Sequence, residues 1–197
     1  MLKILALDFY VERVNTLKIV KLFRFFVFIL IFLIIGLLFF QYINIQYDED
    51  APMPTGLHPV VEEKSDQLIS RAAERGINVV ITDDFRSADD QDALYDKGRS
   101  VDGNIVTHAK GGESYHNYGL AIDFALLTVE GDLVWDMEYD GNGSGTPDWM
   151  EVVTIAKDLG FKWGGDWANF KDYPHLQYDF GLSIKDLQRG KRPPERE

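Results

Sequence analysis

The sequence predicts an α+β fold: a small, largely antiparallel sheet with flanking helices, preceded by one N-terminal transmembrane helix. Helical and strand-like segments intermix along the chain without the regular alternation that builds a parallel sheet. The chain has 197 residues, 46% of them hydrophobic, which is enough for one ordinary core once the N-terminus is set aside. An apolar run at 25–40 contains no polar side chain, so it does not resemble a core helix with one apolar face.

Residues 25–43 are predicted to be a transmembrane anchor that follows a cytoplasmic N-terminus at 1–24. Nineteen residues at a rise of 1.5 Å approach the hydrocarbon thickness of a bilayer, about 30 Å. Basic residues precede the run and an acidic triplet at 48–50 follows it, so the positive-inside bias puts the main domain outside the cell. A cleaved signal peptide is the alternative, but the run is long for one and no clear small-residue cleavage site follows. The sequence predicts a single-pass protein of the cell membrane with an extracellular domain.

Apolar periodicity and capping residues predict the elements of the folded domain at 58–185, which a linker at 44–57 precedes. Apolar side chains share one side of a helix at 60–75, and Gly76 ends it. Ser87 caps a second helix that runs to about residue 97. The other predicted elements are strands at 78–82, 120–127, 133–135, 162–163 and 176–178 and a helix at 149–159.

The charge of the chain is unevenly distributed and excludes one class of partner. Residues 1–44 carry a net charge of +3 within a total of −12, so the remainder carries −15. A domain so acidic is a poor binder of nucleic acid, whose affinity depends on neutralising phosphates. A basic tail at 186–197 is predicted to lack ordered structure. The absence of cysteine excludes a disulfide framework and a thiol nucleophile, and no feature indicates an obligate protein partner.

Two histidines and two aspartates form the most informative pattern in the chain. They lie in Ser114-Tyr-His116-Asn-Tyr-Gly-Leu-Ala-Ile-Asp123 and, far downstream, in Asp172-Tyr-Pro-His175. A catalytic zinc site needs three protein ligands and one open position, and without cysteine it must use imidazole and carboxylate. The apolar alternation around Asp123 indicates a strand, where a buried carboxylate needs a cation or several donors. The pattern predicts that His116, Asp123 and His175 hold zinc and that Asp172 is left as a base.

These motifs resemble those of a known family of zinc peptidases. Ser-x-His-x-x-Gly-x-Ala-x-Asp followed by Asp-x-x-His is similar to the D-alanyl-D-alanine carboxypeptidases and L-alanyl-D-glutamate endopeptidases, which the Hedgehog signalling domain resembles in fold. Further matches, within a resemblance that covers residues 60–178, are Phe85-Arg86-Ser87 with Gln91 and Leu94-Tyr95, and Phe161-Lys-Trp-Gly-Gly-Asp-Trp167. The Trp-Gly-Gly-Asp-Trp stretch is most similar to the phage endolysins and bacillar cell-wall enzymes that cut between L-alanine and D-glutamate.

The resemblance implies a zinc-dependent hydrolase of peptidoglycan stem peptides, which cuts the L-alanyl-D-glutamate bond with a metal-activated water. In this reading Asp172, three residues before the ligand His175, takes the proton of the water and passes it to the leaving amine. One departure from the pattern is Gln177, where many relatives carry a glutamate. A contact with a metal ligand could use either side chain.

The resemblance also implies roles for three side chains beyond the metal. Arg86 would stabilise the oxyanion or hold a substrate carboxylate, unless it forms a salt bridge with Asp83 or Asp84 instead. Gln91 would bind substrate. Ser114 would either bind substrate or shape the loop that carries the first ligand.

Two other functions remain open from the sequence. One is a D-alanyl-D-alanine carboxypeptidase, which would need a basic residue to recognise the terminal carboxylate. The other is a non-catalytic, zinc-centred binding domain, as in Hedgehog. The presence of Asp172 and Arg86 argues against the second, because a pure binding domain needs no base beside the water.

The segment 140–151 has the spacing of a twelve-residue calcium loop and predicts a possible Ca²⁺ site. A glycine stands at the sixth position, and a helix is predicted to follow. The neutral Ser144 and the proline at 147 weaken the match, and a turn rich in Gly, Asn and Asp is the alternative. The expected ligands are Asp140, Asn142, Ser144, Thr146 through its carbonyl, Asp148 and Glu151.

Overall fold

The computed structural model describes residues 21–22, 24–41 and 51–195, and the chain separates into two compact units, Met1–Tyr47 and Asp48–Glu197. In the first unit, helix α1, Arg24–Gln41, is long and apolar enough to cross a membrane, a property that a signal sequence shares. The end of the predicted anchor at 42–43, most of the cytoplasmic segment 1–24 and the first part of the linker lie outside the described residues.

The second unit contains every helix and strand predicted for the folded domain, with ends that agree or are shifted by one or two residues. Short 3-10 turns occupy Tyr115–Tyr118 and Gly164–Asp166. Ser87 caps its helix as expected, since its side chain accepts a hydrogen bond from the Asp90 amide. The elements are α2 Pro59–Ala73, β1 Asn78–Asp83, α3 Ala88–Asp96, β2 Ala121–Leu127, β3 Leu133–Val134, α4 Asp148–Asp158, β4 Lys162–Trp163, β5 His175–Gln177 and α5 Ile184–Gln188.

Strand β2 is the centre of a five-stranded sheet in which each of these pairings is antiparallel. It pairs with β1 along one edge and with β5 and β3 along the other, and β4 extends the sheet beyond β5. The predicted α+β class with an antiparallel sheet is therefore confirmed. The register sets Asp123 of β2 directly opposite His175 of β5.

The core lies on one face of β2, where helices α2 and α4 pack. Leu120, Ile122 and Phe124 are fully buried, and the Phe124 ring lies 4.7 Å from the ring of Trp149 in α4. Successive side chains of a strand point to opposite faces, so Asp123 points away from this core. The same alternation that builds the core therefore presents a carboxylate on the other face.

Helix α5 continues the domain past residue 185, the boundary predicted from the sequence. Leu187 in α5 is 1% exposed and joins the core. The Arg192 guanidinium donates hydrogen bonds to the carbonyl oxygens of Ala51, at 2.9 Å, and Pro52, at 3.2 Å. The predicted basic tail is therefore bonded to the linker through Arg192. A five-residue helix is too short to give a periodic signal in the sequence.

Gly119 ends the 3-10 turn that carries His116, and its φ of +66° is a left-handed conformation that favours glycine. A Cβ atom at this position would overlap the carbonyl oxygen of Gly56. The linker is held there because the His58 amide donates to the Gly119 carbonyl at 2.9 Å.

We expect Gly119→Ala to lower the free energy of unfolding by about 2–4 kcal/mol, because backbone strain and a steric overlap add. Gly181→Ala is the matched control: its φ is +77°, but no atom lies within 4 Å of the added Cβ, so a loss of about 1 kcal/mol is expected. Urea unfolding followed by tryptophan fluorescence measures both. Equal losses in the two variants would contradict the close approach of the linker.

Candidate metal centre

His116, Asp123 and His175 converge from three different elements. His116 lies in the 3-10 turn after residue 114, Asp123 in β2 and His175 at the start of β5. His116 Nε2 is 3.3 Å and His175 Nδ1 is 3.2 Å from Asp123 Oδ1, and the two nitrogens are 3.2 Å apart. Three potential ligand atoms therefore face one point.

Each histidine has an inner nitrogen, which faces the other two ligands, and an outer nitrogen on the opposite side of the ring. The outer nitrogen lies near an oxygen that can only accept a hydrogen bond. His116 Nδ1 donates to the Asp84 carbonyl at 2.6 Å, and His175 Nε2 donates to Gln177 Oε1 at 3.3 Å. In the neutral rings the protons therefore lie on these outer atoms, and the nitrogens that face Asp123 keep their lone pairs to bind a metal. The amide of Gln177 in turn donates to Asp179 Oδ2 at 3.1 Å.

This donor set fits a zinc ion. Tetrahedral coordination with ligand distances of 2.0–2.1 Å separates neighbouring ligand atoms by about 3.3 Å, which is the spacing of the three inner atoms. Two imidazoles and a carboxylate are common zinc ligands and leave a fourth position open. In the part of the chain that the structure describes, this is the one group of three or more histidine and carboxylate side chains with ligand atoms within 4.8 Å of one another.

The electrostatics of the centre favour a cation. Burial penalises the charge of Asp123, but when the rings of His116 and His175 are protonated on both nitrogens, their hydrogen bonds to Asp123 outweigh this penalty and hold the pKa of the carboxyl below its usual value. Burial also disfavours the His116 imidazolium, yet the hydrogen bond and charge of Asp123 raise the pKa of His116. The Asp123 carboxylate therefore attracts a positive charge to this point, and a proton and a metal ion compete for it.

A cavity of about 630 Å³ opens beside these three side chains, and Asp172 lines it. Burial raises the pKa of Asp172, and the nearby negative charge of Asp123 raises it further, against the opposing effect of His175. The Asp172 carbonyl accepts a hydrogen bond from the His175 amide at 3.3 Å, so the base predicted from the sequence is tied to a ligand through the backbone. A half-buried carboxylate with a raised pKa is suited to accept a proton.

Gly164 is a residue that the sequence prediction missed. A Cβ there would overlap the Asp172 carbonyl oxygen and crowd the Cβ atom of His175. The glycine therefore allows the turn between Asp172 and His175 to approach the 3-10 turn at Gly164–Asp166. The Gly-Gly pair in the stretch 161–167, which resembles the zinc peptidases, was the signal in the sequence that could have predicted this contact.

Arg86 lines the cavity, but its guanidinium is already engaged. One nitrogen forms an ion pair with Asp83, the salt bridge that the sequence left open as an alternative, and the other donates to Gln91 Oε1 at 2.8 Å. Gln91, expected to bind substrate, is completely buried and is not part of the cavity wall. Its amide instead positions Arg86.

Ser114 shapes the loop that carries the first ligand, one of the two roles that the sequence left open; its binding of substrate stays a prediction. It lines the cavity, and its hydroxyl accepts a hydrogen bond from the His116 amide at 3.3 Å as the cap of the 3-10 turn. Trp167 forms part of the wall, with its ring 5.1 Å from the His175 ring. Trp163 is buried in the core, and its indole donates to the Tyr173 carbonyl at 2.7 Å.

The predicted calcium loop at 140–151 is closed by its own hydrogen bonds. Asp140 accepts from the amides of Ser144 and Gly145, and Glu151 Oε1 accepts from the Ser144 hydroxyl at 2.6 Å and the Asn142 amide at 3.1 Å. Asp148 is 2% exposed, and its Oδ1 has no hydrogen-bond partner within the described residues. Within the described residues, no hydrogen bond therefore compensates the cost of removing this carboxylate oxygen from water.

Comparison with known proteins gives consistent matches. Residues 107–178 match a family model described as D-alanyl-D-alanine carboxypeptidase. The chain is 63% identical over 129 residues to the peptidoglycan L-alanyl-D-glutamate endopeptidase CwlK of Bacillus subtilis (strain 168), covering 66% of this chain and 77% of that protein. It is 33% identical over 115 residues to the L-alanyl-D-glutamate peptidase of Listeria phage A118, covering 58% and 35%. The crystal structure of the L-Ala D-Glu endopeptidase ChiX of Serratia marcescens matches at 24% identity and a TM-score of 0.41, over 68% of this chain and 85% of that one.

Proposed function

The chain belongs to the zinc peptidase family of D-alanyl-D-alanine carboxypeptidases and L-alanyl-D-glutamate endopeptidases, and we propose that it hydrolyses the L-alanyl-D-glutamate bond of peptidoglycan stem peptides. The observation that carries this proposal is the 63% identity to CwlK over 77% of that endopeptidase. The convergence of His116, Asp123 and His175 beside a cavity that also contains Asp172 supports it.

The proposed mechanism assigns a separate task to each side chain. His116 Nε2, Asp123 Oδ1 and His175 Nδ1 would hold the zinc ion, which when bound would polarise the carbonyl of the scissile bond and lower the pKa of water. The Asp172 carboxylate accepts the proton of the attacking water and delivers it to the leaving nitrogen of D-glutamate. The N–H groups of Arg86 in the cavity wall stabilise the negative charge that develops on the oxygen of the scissile carbonyl. Trp167 shields the His175 side of the site from solvent.

The test is digestion of purified muropeptides by the zinc-loaded full-length chain in detergent, with the products analysed by mass spectrometry. A fragment with D-glutamate at its new amino terminus is the expected product. The family model favours the alternative of a carboxypeptidase, and loss of a single terminal alanine would establish that activity instead. No cleavage with zinc bound would reject both enzymatic functions and leave a zinc-centred binding domain.

We also propose that α1 anchors the protein in the cell membrane and leaves the peptidase unit on the cell-wall side. The length and apolar surface of Arg24–Gln41 and the basic residues before it support this proposal. Alkaline extraction of membranes from expressing cells is expected to leave the full-length chain in the pellet. Recovery of a shortened, soluble chain would instead identify the segment as a cleaved signal sequence.

We propose further that the segment 140–151 binds Ca²⁺. The unpartnered Oδ1 of Asp148 supports this, because a cation would compensate a carboxylate whose pKa burial raises. The positions of Asp140 and Glu151, the first and twelfth in the loop, agree with calcium-loop spacing.

The calcium proposal predicts a binding isotherm when Ca²⁺ is titrated into the metal-stripped chain. Glu151→Gln should weaken binding by about tenfold or more, since it removes the charged twelfth-position ligand. Glu138→Gln is the matched control, because Glu138 lies just outside the loop and is exposed. Absence of heat with the unaltered chain, or equal binding by both variants, would reject the site.

A further inference from the structure

We propose that His108 binds the free carboxylate of D-glutamate on the leaving side of the scissile bond, and so sets a preference for an acidic residue there. The inference rests on the proposed function. A glutamate joined through its nitrogen to L-alanine has two carboxyl groups. Whichever one continues the stem peptide, the other is left free close to the reacting centre.

The cavity offers few partners for such a carboxylate. Arg86 is the only Lys or Arg side chain among the described residues that line it, and Asp83 and Gln91 engage two of its nitrogens. His116 and His175 are the metal ligands, so His108 is the remaining imidazole in the wall. Four acidic side chains in the wall repel an anion: Asp83, Glu113, Asp123 and Asp172.

Arg99 fixes the tautomer of His108. Its Nη2 lies 3.4 Å from His108 Nδ1 and donates to the Thr107 carbonyl at 3.0 Å. A guanidinium can only donate, so Nδ1 accepts and the proton of the neutral ring lies on Nε2. Arg99 is held in turn by the ring of Tyr95, 3.8 Å from the guanidinium carbon. His108 Nε2 is therefore an N–H donor, and the positive charge of Arg99 lies beside the same ring.

The segment that carries His108 is held to the domain by the buried amide of Gln91. Gln91 Nε2 donates to the Ala109 carbonyl at 2.9 Å and to the Thr107 hydroxyl at 3.3 Å, on either side of His108. Its Oε1 accepts from Arg86. One fully buried side chain thus holds the residues on either side of His108 and the Arg86 guanidinium in place relative to each other, and such preorganisation favours specific binding.

Phe170 faces His108 from the segment that leads to Asp172. The two rings meet edge to face, with their centroids 6.4 Å apart and an interplanar angle of 87°, and both residues line the cavity. The apolar ring packs beside the imidazole and offers no hydrogen-bond donor to a carboxylate.

The test uses two synthetic stem peptides that differ only at the free carboxyl group of D-glutamate, which is an acid in one and a carboxamide in the other. For the zinc-loaded full-length chain, we expect kcat/KM to be about tenfold higher for the acid, the effect of one hydrogen bond to a charged group. His108→Ala should lower kcat/KM for the acid about tenfold and abolish the preference. His108→Gln retains an N–H donor and should retain part of it.

Phe170→Ala is the matched control, since it removes the opposing ring without removing a donor. It should lower kcat/KM for both peptides by similar factors and preserve their ratio. The ratio is taken within each variant, so a partial loss of folded enzyme does not alter it. No preference in the unaltered chain, or a preference that survives in His108→Ala, would overturn the assignment of His108. Failure of the unaltered zinc-loaded chain to cut either peptide would reject the proposed function instead.

Discussion

Replacement of His175 by alanine is expected to abolish peptide hydrolysis and to release the metal. The inner nitrogen of His175 lies 3.2 Å from both other ligand atoms, so its loss leaves two ligands where a catalytic zinc needs three. Loss of an outer contact to a ligand typically lowers metal affinity 10–100-fold; loss of the ligand itself should exceed about 100-fold. Zinc content after dialysis, measured by mass spectrometry, and hydrolysis of muropeptides provide the two readouts.

His58→Asn is the matched control for this variant. His58 lies outside the metal centre and caps α2, where its Nδ1 accepts from the Val60 amide at 3.3 Å. Asparagine is a preferred residue at such a position, so the control removes an imidazole while preserving the cap. It should keep both zinc and activity. Full zinc occupancy in His175→Ala would contradict the proposed ligand set.

The second large effect is expected for Asp172→Asn, which should lose activity and keep the metal. The amide has the shape of the carboxylate but cannot accept the proton of water, and general bases typically contribute 10²–10⁴-fold to the rate. We therefore expect kcat/KM to fall by about 10²–10⁴-fold, with zinc content equal to that of the unaltered chain.

Asp166→Asn makes the same chemical change on a neighbouring exposed aspartate, whose contact is an ion pair with Lys157 at 2.7 Å. Exposed pairs contribute little to stability, so this control should retain activity. Loss of zinc from Asp172→Asn would mean that Asp172 helps to hold the metal. Unchanged kcat/KM would mean that another group accepts the proton.

Much of the fold could be predicted because its signals are local. The apolar alternation of β2 and the cap supplied by Ser87 each act within a few residues along the chain. The end of the domain could not be predicted in the same way. The burial of Leu187 and the bonds from Arg192 to the linker join segments that are far apart in sequence, and no local pattern encodes such contacts.

The candidate ligands likewise followed from the sequence by itself. With no cysteine and few histidines, the chain offers few residue types that could hold zinc, and His116, Asp123 and His175 stand in a motif of recognisable spacing. The sequence could not supply the partners of the outer nitrogens. The Asp84 carbonyl and Gln177 Oε1 are fixed by how the strands pair and the loops pack.

The tertiary structure also decided which side chains remain available to a substrate. The sequence presents Arg86 as a residue that stabilises the oxyanion or holds a carboxylate, and Gln91 as one that binds substrate. The folded chain engages two nitrogens of Arg86 with Asp83 and Gln91 and buries Gln91 beneath the segment that carries His108. Metal ligands can be inferred from sequence because coordination demands particular atoms. The availability of a hydrogen-bond donor depends on its neighbours in space, which here come from α3, the loop that follows it and the segment before β5.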